Sequence, residues 1–351
     1  MVERCELAPG YSISRIIKGG WQLAGGHGQI SRESAIDDMF GFVDAGITTF
    51  DCADIYTGVE QLIGDFVGEL RKQRGSSAVQ AIQVHTKFVP DLEALPVLNR
   101  SHVERTIDRS LQRLGVEALD LAQFHWWDYE IPHYVEAAQF LDDLRRAGKI
   151  RHIGATNFDV PRLREFVAAG VPVIAHQLQY SVLDRRPENG MTDLCRERRI
   201  ALLCYGSVAG GFLSDRWLGV PEPIESLENR SLTKYKLIID EFGSWQLFQE
   251  LLRVLRQIAN KHEVSVSAVA IRYVLQRPQV AAAIVGARNS AHLEAILAAF
   301  RFELDAKDLQ AIASITAQAA GPGGDTYSLE REKGGRHASI MKYNLNDTMK
   351  L

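Results

Sequence analysis

The chain has 351 residues, enough for one large α/β barrel or two ordinary domains, and is 46% hydrophobic and 24% charged, the profile of a soluble protein with a sizeable core. Its 40 basic and 44 acidic residues leave a formal charge of −4, which points away from nucleic acid and from membrane surfaces as partners. Cys5, Cys52, Cys195 and Cys204 show neither CxxC nor metal-ligand spacing, so they read as reduced thiols of a cytoplasmic protein and no metal is expected; the N-terminus is polar and no apolar run approaches membrane-spanning length.

In chain order, residues 1–12 read as a polar lead-in and 13–17 as a first strand. Gly19, Gly20, Trp21, Gln22 and a glycine-rich loop at 25–28 follow. A helix from about Ser31 carries Ile36, Met39/Phe40 and Val43 on one face and stops at Gly46. Residues 47–51 read as a strand, 58–72 as a helix and 81–87 as a strand. Ser101 and Glu104 spell a capping box that opens a helix with Val103, Ile107, Leu111 and Leu114 inward, ended by Gly115. Residues 119–124 form the next strand and run into His125, Trp126 and Trp127. Helices at about 133–147, 161–169 and 189–198 then alternate with strands at 150–155, 173–178 and 200–205.

Residues 206–244 break the rhythm. They contain Gly206, Gly210, Gly211, Pro221 and Pro223, the composition of a long functional or disordered loop. Helices resume at 245–261 and 265–277, and 280–285 is the last strand. Ser290 caps a helix with Leu293, Ile296/Leu297 and Phe300 inward, and a helix at 305–316 precedes a glycine-rich tail from Gly321.

Eight strand–helix units imply a parallel sheet and an α/β fold, a (β/α)8 TIM barrel in a single domain, with an extended loop after strand 7 and a C-terminal tail at 321–351. No GxGxxG follows a strand, which argues against a doubly wound dinucleotide domain. In a barrel, residues just past the strands' C-terminal ends gather on the face that holds active sites. Asp51, Lys87, His125, Asn157, Gln177, Tyr205 and Gly286 occupy such positions.

Tyr56 follows Asp51 by five residues, in the loop before the next helix. A phenol with a pKa of about 10 is protonated near neutrality and can donate. A neighbouring ammonium, Lys87, is expected to lower that pKa, and a buried Lys87 needs Asp51 as its partner. His125 is placed to hydrogen-bond a carbonyl. With no activated serine or cysteine, the set suits carbonyl reduction by a nicotinamide cofactor.

Phe50-Asp51-Cys52-Ala53-Asp54-Ile55-Tyr56, Thr86-Lys87, Phe124-His125-Trp126, Gly154-Ala155-Thr156-Asn157-Phe158 and Gln177-Leu178-Gln179-Tyr180-Ser181 together resemble the aldo-keto reductases, in the right order from about residue 13 to 315. The resemblance implies the barrel, a catalytic tetrad of Asp51, Tyr56, Lys87 and His125, and NADPH lying across the barrel mouth. It implies Asn157 and Gln177 on the nicotinamide carboxamide and Tyr205 against the ring, with Trp21 beside it. Gly206, Ser207, Val208 and Leu213 would line the pyrophosphate, and Gly286, Arg288 and His292 the adenosine 2′-phosphate, near a helix N-terminus at Ser290. Where the family has a basic residue and then Glu-Asn, this chain has His292, Ala295 and Ile296, so NADH use stays open. Tyr205-Gly206-Ser207 replaces the family's Tyr-Ser-Pro.

Trp21, Trp126, Trp127 and Tyr129 are expected to wall a pocket for apolar or aromatic carbonyls. The tail is expected to act as a lid or an inter-subunit contact, and the protein to be a monomer or a small homo-oligomer. The alternatives are a channel β-subunit-like regulatory NADPH-binding protein, which the resemblance also covers, and a sugar or polyol dehydrogenase working in the oxidative direction.

Overall fold

A computed structural model describes residues 2–25, 28, 31–287 and 289–346. Ten strands appear in it: β1 (Arg4–Ala8), β2 (Tyr11–Ser14), β3 (Ile16–Gly19), β4 (Thr49–Asp51), β5 (Gln83–Phe88), β6 (Leu119–Phe124), β7 (Ile150–Thr156), β8 (Val173–Gln179), β9 (Ala201–Tyr205) and β10 (Val280–Gly286). Strands β3 to β10 close into an eight-stranded parallel barrel in sequence order, with β10 returning to β3. Helices lie between successive barrel strands. The main core fills the space between sheet and helices, where Phe50, Phe66, Phe124, Phe158 and Phe166 are all buried. Strands covered on both faces carry continuous apolar runs, as β10 does with Ala281–Val285.

The expected lead-in is a strand. β1 pairs antiparallel with β2, and the hairpin seals the N-terminal end of the barrel. Arg4 donates from Nη1 to Thr48 Oγ1 at 2.8 Å and from Nη2 to Gln83 Oε1 at 3.2 Å, both beside strand starts. Tyr11 Oη lies 2.9 Å from His85 Nε2 in the interior. The expected strand at 13–17 is therefore two strands, divided at Arg15, whose side chain reaches the carbonyls of Leu275, Val280 and Ala281.

Two caps sit elsewhere than expected. Asn99, not Ser101, caps helix Arg100–Leu114, accepting from the His102 amide at 3.3 Å. Asn289 precedes a 3-10 turn, Ser290–His292, that leads into the short helix Leu293–Leu297. In both places an asparagine reaches back to a free amide, and either residue type can cap, so spacing alone does not choose. The segment at 206–244 is also more ordered than its composition suggests. After two 3-10 turns it forms helix Arg230–Phe242, capped by Asn229 and packed inward through Leu232, Tyr235, Ile238, Ile239 and Phe242. No helix of the described residues is long and apolar enough to cross a membrane.

The tail runs back across the C-terminal face of the barrel. Asp325 accepts from the Val160 amide at the start of helix Val160–Ala168. Glu330 is buried against Arg186 at 3.0 Å and Lys234 at 3.6 Å. Arg331 donates to the carbonyls of Trp126, Trp127 and Asn157. Farther on, Tyr343 accepts from the Leu92 amide and Asn346 donates to the Val89 carbonyl.

Candidate active site

A cavity of about 950 Å³ opens at the C-terminal end of the barrel. Asp51, at the end of β4, meets Lys87, next to the end of β5, with Nζ 2.5 Å from Oδ1. Both side chains are almost wholly buried. Lys87 also donates to the Cys52 carbonyl at 2.8 Å and lies 4.9 Å from the centroid of the Tyr56 ring. Asp51 Oδ2 accepts from Gln123 at 3.1 Å and from Gln177 at 2.7 Å. Burial works against the Lys87 ammonium, but Asp51 and Tyr56 outweigh it and raise its pKa.

Tyr56 departs from expectation in direction. Burial raises its pKa, and the lowering pull of Lys87 only partly offsets this. A phenolate pays for lost water more than one ammonium, already shared with Asp51, returns. The phenol is therefore firmly protonated at neutral pH.

His125 is 2% exposed. Its Nδ1 lies 3.2 Å from the Thr156 carbonyl, and its buried Nε2 has no partner. Burial, then Arg331, push its pKa down to about 3, so the ring is neutral. Trp127 meets it edge-on at 4.3 Å and Tyr327 at 5.6 Å.

Of the other residues singled out in the sequence, Trp21, Trp127, Asn157, Gln177, Tyr205, Gly206, Ser207, Val208, Gly286 and His292 line the same cavity. Trp21 lies 5.1 Å from the Tyr56 ring. Tyr205 donates to Asn157 Oδ1 at 2.8 Å. The Gln177 amide nitrogen is engaged by Asp51 and Gln123, which leaves Oε1 to face a ligand.

Three expectations fail on position. Trp126 is fully buried, with Nε1 donating to the carbonyls of Asp128 and Ile131, and is absent from the cavity wall. Tyr129 is likewise outside it, accepting from the Asp159 amide. Leu213 is buried away from the cavity, its amide bonded to the Val208 carbonyl. Loop residues follow no fixed periodicity, so neighbours of a site residue need not share its pocket. Arg288 lies outside the described residues. The turn at Ser290 also differs from an open phosphate site: the Ser290 amide donates to Asp38 at 2.8 Å and the Ala291 amide to Asn289.

Several residues of the site escaped the sequence reading. Gln123, on β6, does not line the cavity but supports Asp51 from behind it; it precedes His125, just past the strand's end, by two positions, a spacing that was a usable signal. Arg230 lines the cavity with its guanidinium 5.7 Å from the Trp21 ring; burial lowers its pKa, and among the described residues no carboxylate offsets that. Lys234 sits over the Tyr205 ring, and Tyr327, Ile340, Met341, Lys342 and Leu345 come from the tail. These charges make the wall more polar than an all-aromatic pocket.

The cavity suits an extended dinucleotide. It reaches from Tyr56 and His125 past Gly206–Val208 to Gly286, His292, Ala295 and Ile296. Along it, Gln22 Oε1 and Ser207 Oγ are buried without partners. A Cβ on Gly206, whose φ is +78°, would lie 2.6 Å from Tyr235 Oη, so glycine is what lets the backbone border the cavity there.

Comparison with known proteins gives the family. The family model described as "Aldo/keto reductase family" matches residues 15–317. The aldo-keto reductase YhdN of Bacillus subtilis is 28% identical, covering 87% of this chain and 91% of its own. The NADH-specific methylglyoxal reductase of Escherichia coli is 24% identical, covering 85% and 93%. A glycerol dehydrogenase from Gluconobacter oxydans superposes with a TM-score of 0.74 at 23% identity, over 89% of this chain and 94% of that one. The chain belongs to the aldo/keto reductase family and is an NAD(P)H-dependent oxidoreductase.

Proposed function

We propose that the protein reduces aldehydes or ketones to alcohols with NADPH, and accepts NADH as well. The linked contacts Gln123–Asp51–Lys87–Tyr56 at the base of the cavity carry this reading. Lys87 stays an ammonium because Asp51 holds it, and Tyr56, half-buried by surface, stays a phenol because the loss of water around it outweighs the pull of Lys87. As charge grows on the carbonyl oxygen, Tyr56 gives up its proton and Lys87 stabilises the phenolate left behind. His125 orients the substrate, and Trp21 and Trp127 wall it. The cofactor, when bound, supplies the hydride. Asn157 and Gln177 Oε1 are positioned for its carboxamide and Tyr205 for the ring face. Gly206, Ser207, Val208 and Arg230 border the stretch that would take the pyrophosphate, and Gly286, His292 and Arg288 the adenosine end.

Asp38 supports dual cofactor use. Its carboxylate occupies the Ser290 amide, where a 2′-phosphate would be repelled. The Escherichia coli relative is named as NADH-specific. The tail belongs to the same proposal as a lid over the substrate end, because Tyr327, Met341 and Leu345 line that part of the cavity.

The test is oxidation of NADPH and of NADH by the purified protein with a panel of aldehydes and ketones, including a nitrobenzaldehyde. Cofactor consumption dependent on the carbonyl is expected. Tight cofactor binding with no turnover of any carbonyl would overturn the reading.

A further inference from the structure

The cavity wall carries more positive charge than its own carboxylates match. Among the described residues three carboxylates border it, and each is held: Asp51 by Lys87, Asp215 by Arg256 and Glu228 by Arg216. Arg230, Lys234 and Lys342 border it as well. Arg230 faces the stretch proposed for the pyrophosphate. Lys234 stands elsewhere. Its Nζ lies 5.1 Å from the centroid of the Tyr205 ring and 5.6 Å from that of Tyr327, and Tyr327 meets His125 edge-on. The ammonium therefore sits between the tyrosine proposed for the cofactor ring and a tyrosine of the tail, at the end proposed for the substrate. Its ion-pair partner, Glu330, is 3.6 Å away. That carboxylate does not border the cavity, and Arg186 engages both of its oxygens, at 3.0 and 3.5 Å. Burial lowers the pKa of Lys234, and Glu330 only partly offsets this. Its side chain is still 18% exposed, and the opening it faces is the cavity.

An ammonium on a cavity wall, with three N–H groups and one distant acceptor, is a seat for an anion. We infer that the substrates of this site are aldehydes or ketones that carry a carboxylate group, held by Lys234 while the carbonyl oxygen accepts from Tyr56. This rests on the reductase reading above. One ammonium with Glu330 behind it suits a single negative charge better than the two of a phosphate. Lys342, on the tail beside Met341, adds charge of the same sign at that end and draws the anion in. In the reaction the carbonyl carbon takes hydride from the cofactor and its oxygen takes the proton of Tyr56. The products are a hydroxy acid and the oxidised cofactor; the carboxylate keeps its bonds, and the phenolate regains its proton from solvent. A lysine that only held Glu330 in place would act on the tail whatever the substrate, and would not tell a charged carbonyl compound from an uncharged one.

The test compares 2-, 3- and 4-carboxybenzaldehyde, each with its methyl ester. The three positions scan the distance from carbonyl to ammonium. The ester group withdraws electrons more strongly than the carboxylate, so intrinsic reactivity runs against the expected preference. At least one acid is expected to exceed its ester in kcat/KM by about 10-fold or more, chiefly through a lower KM. Lys234→Met is expected to bring that ratio close to one, and Lys234→Arg, which keeps the charge, to restore part of it. Ratios of one or below for all three pairs in the unaltered protein, while a nitrobenzaldehyde is still reduced, overturn this inference and leave the reductase reading standing; that comparison needs no variant to fold. A preference for an acid that survives in Lys234→Met also overturns it, because acid and ester then change together and the lysine serves the tail alone. No turnover of any carbonyl overturns both readings.

Discussion

Lys87 carries its charge where a charge is costly. Burial opposes the ammonium, but Asp51 and Tyr56 lift its pKa above that of an exposed lysine. Its contribution to stability is therefore present below the ordinary lysine value of about 10.4, and is lost only as pH rises through the higher folded value. Lys87→Met leaves Asp51 buried and unpaired, and should lower unfolding stability in urea by about 3–5 kcal/mol. Adding Asp51→Asn should recover part of that loss. Tyr56→Phe removes only the hydroxyl, so kcat/KM should drop by about 10²–10⁴-fold with the NADPH dissociation constant unchanged by fluorescence titration. Unchanged turnover would remove the tyrosine from the mechanism. Asp51, Lys87 and His125 were legible because a residue at a parallel strand's C-terminal end has one place to go. The net shift of Tyr56 was not. It depends on how much water the fold removes, and no spacing reports that.

At the scale of elements, three contacts link parts of the chain that are far apart in sequence. Glu330 joins the tail to Arg186, beyond the end of β8, and to Lys234 on helix Arg230–Phe242. Burial alone would raise its pKa, but Arg186 and Lys234 bring it down to about 2. Its folded value is the depressed one, so the tail's attachment is complete above the ordinary carboxylate value of about 4.3 and weakens as pH falls toward 2. Glu330→Gln should raise amide exchange across 321–346 and leave the barrel strands protected; unchanged exchange in the tail would show that Arg331 alone holds it. The second contact is between helix Arg32–Asp44 and the loop after β10, where Asp38 meets the Ser290 amide. Asp38→Asn keeps that hydrogen bond and removes the charge. The ratio of kcat/KM for NADPH over NADH should rise several-fold, and no rise would place discrimination elsewhere. The third contact is the hairpin. Removal of the Tyr11 hydroxyl in Tyr11→Phe leaves His85 Nε2 unpaired inside the barrel, which should cost about 1–3 kcal/mol of stability with kcat untouched, since the other end of the barrel holds the cavity.

At the scale of the whole molecule, the barrel and the order of its strands follow from local pattern. Alternating strands and helices with short links leave parallel pairing in sequence order as the simple closure. The strand ends then fix which side chains share a face, and the sequence alone determined that Asp51, Lys87, His125, Asn157, Gln177 and Tyr205 would meet. Only the tertiary structure decided the rest. It turned Trp126 and Leu213 into the core, drew Arg230 and Lys234 to the cavity from a segment that reads as loop, and brought Tyr327 and Met341 to its wall from the far end of the chain. It also buried His125 with the Thr156 carbonyl beside Nδ1. Periodicity carries information over one strand or helix. Contacts between segments more than a hundred residues apart, and the desolvation that comes with them, exist only once the chain has closed on itself.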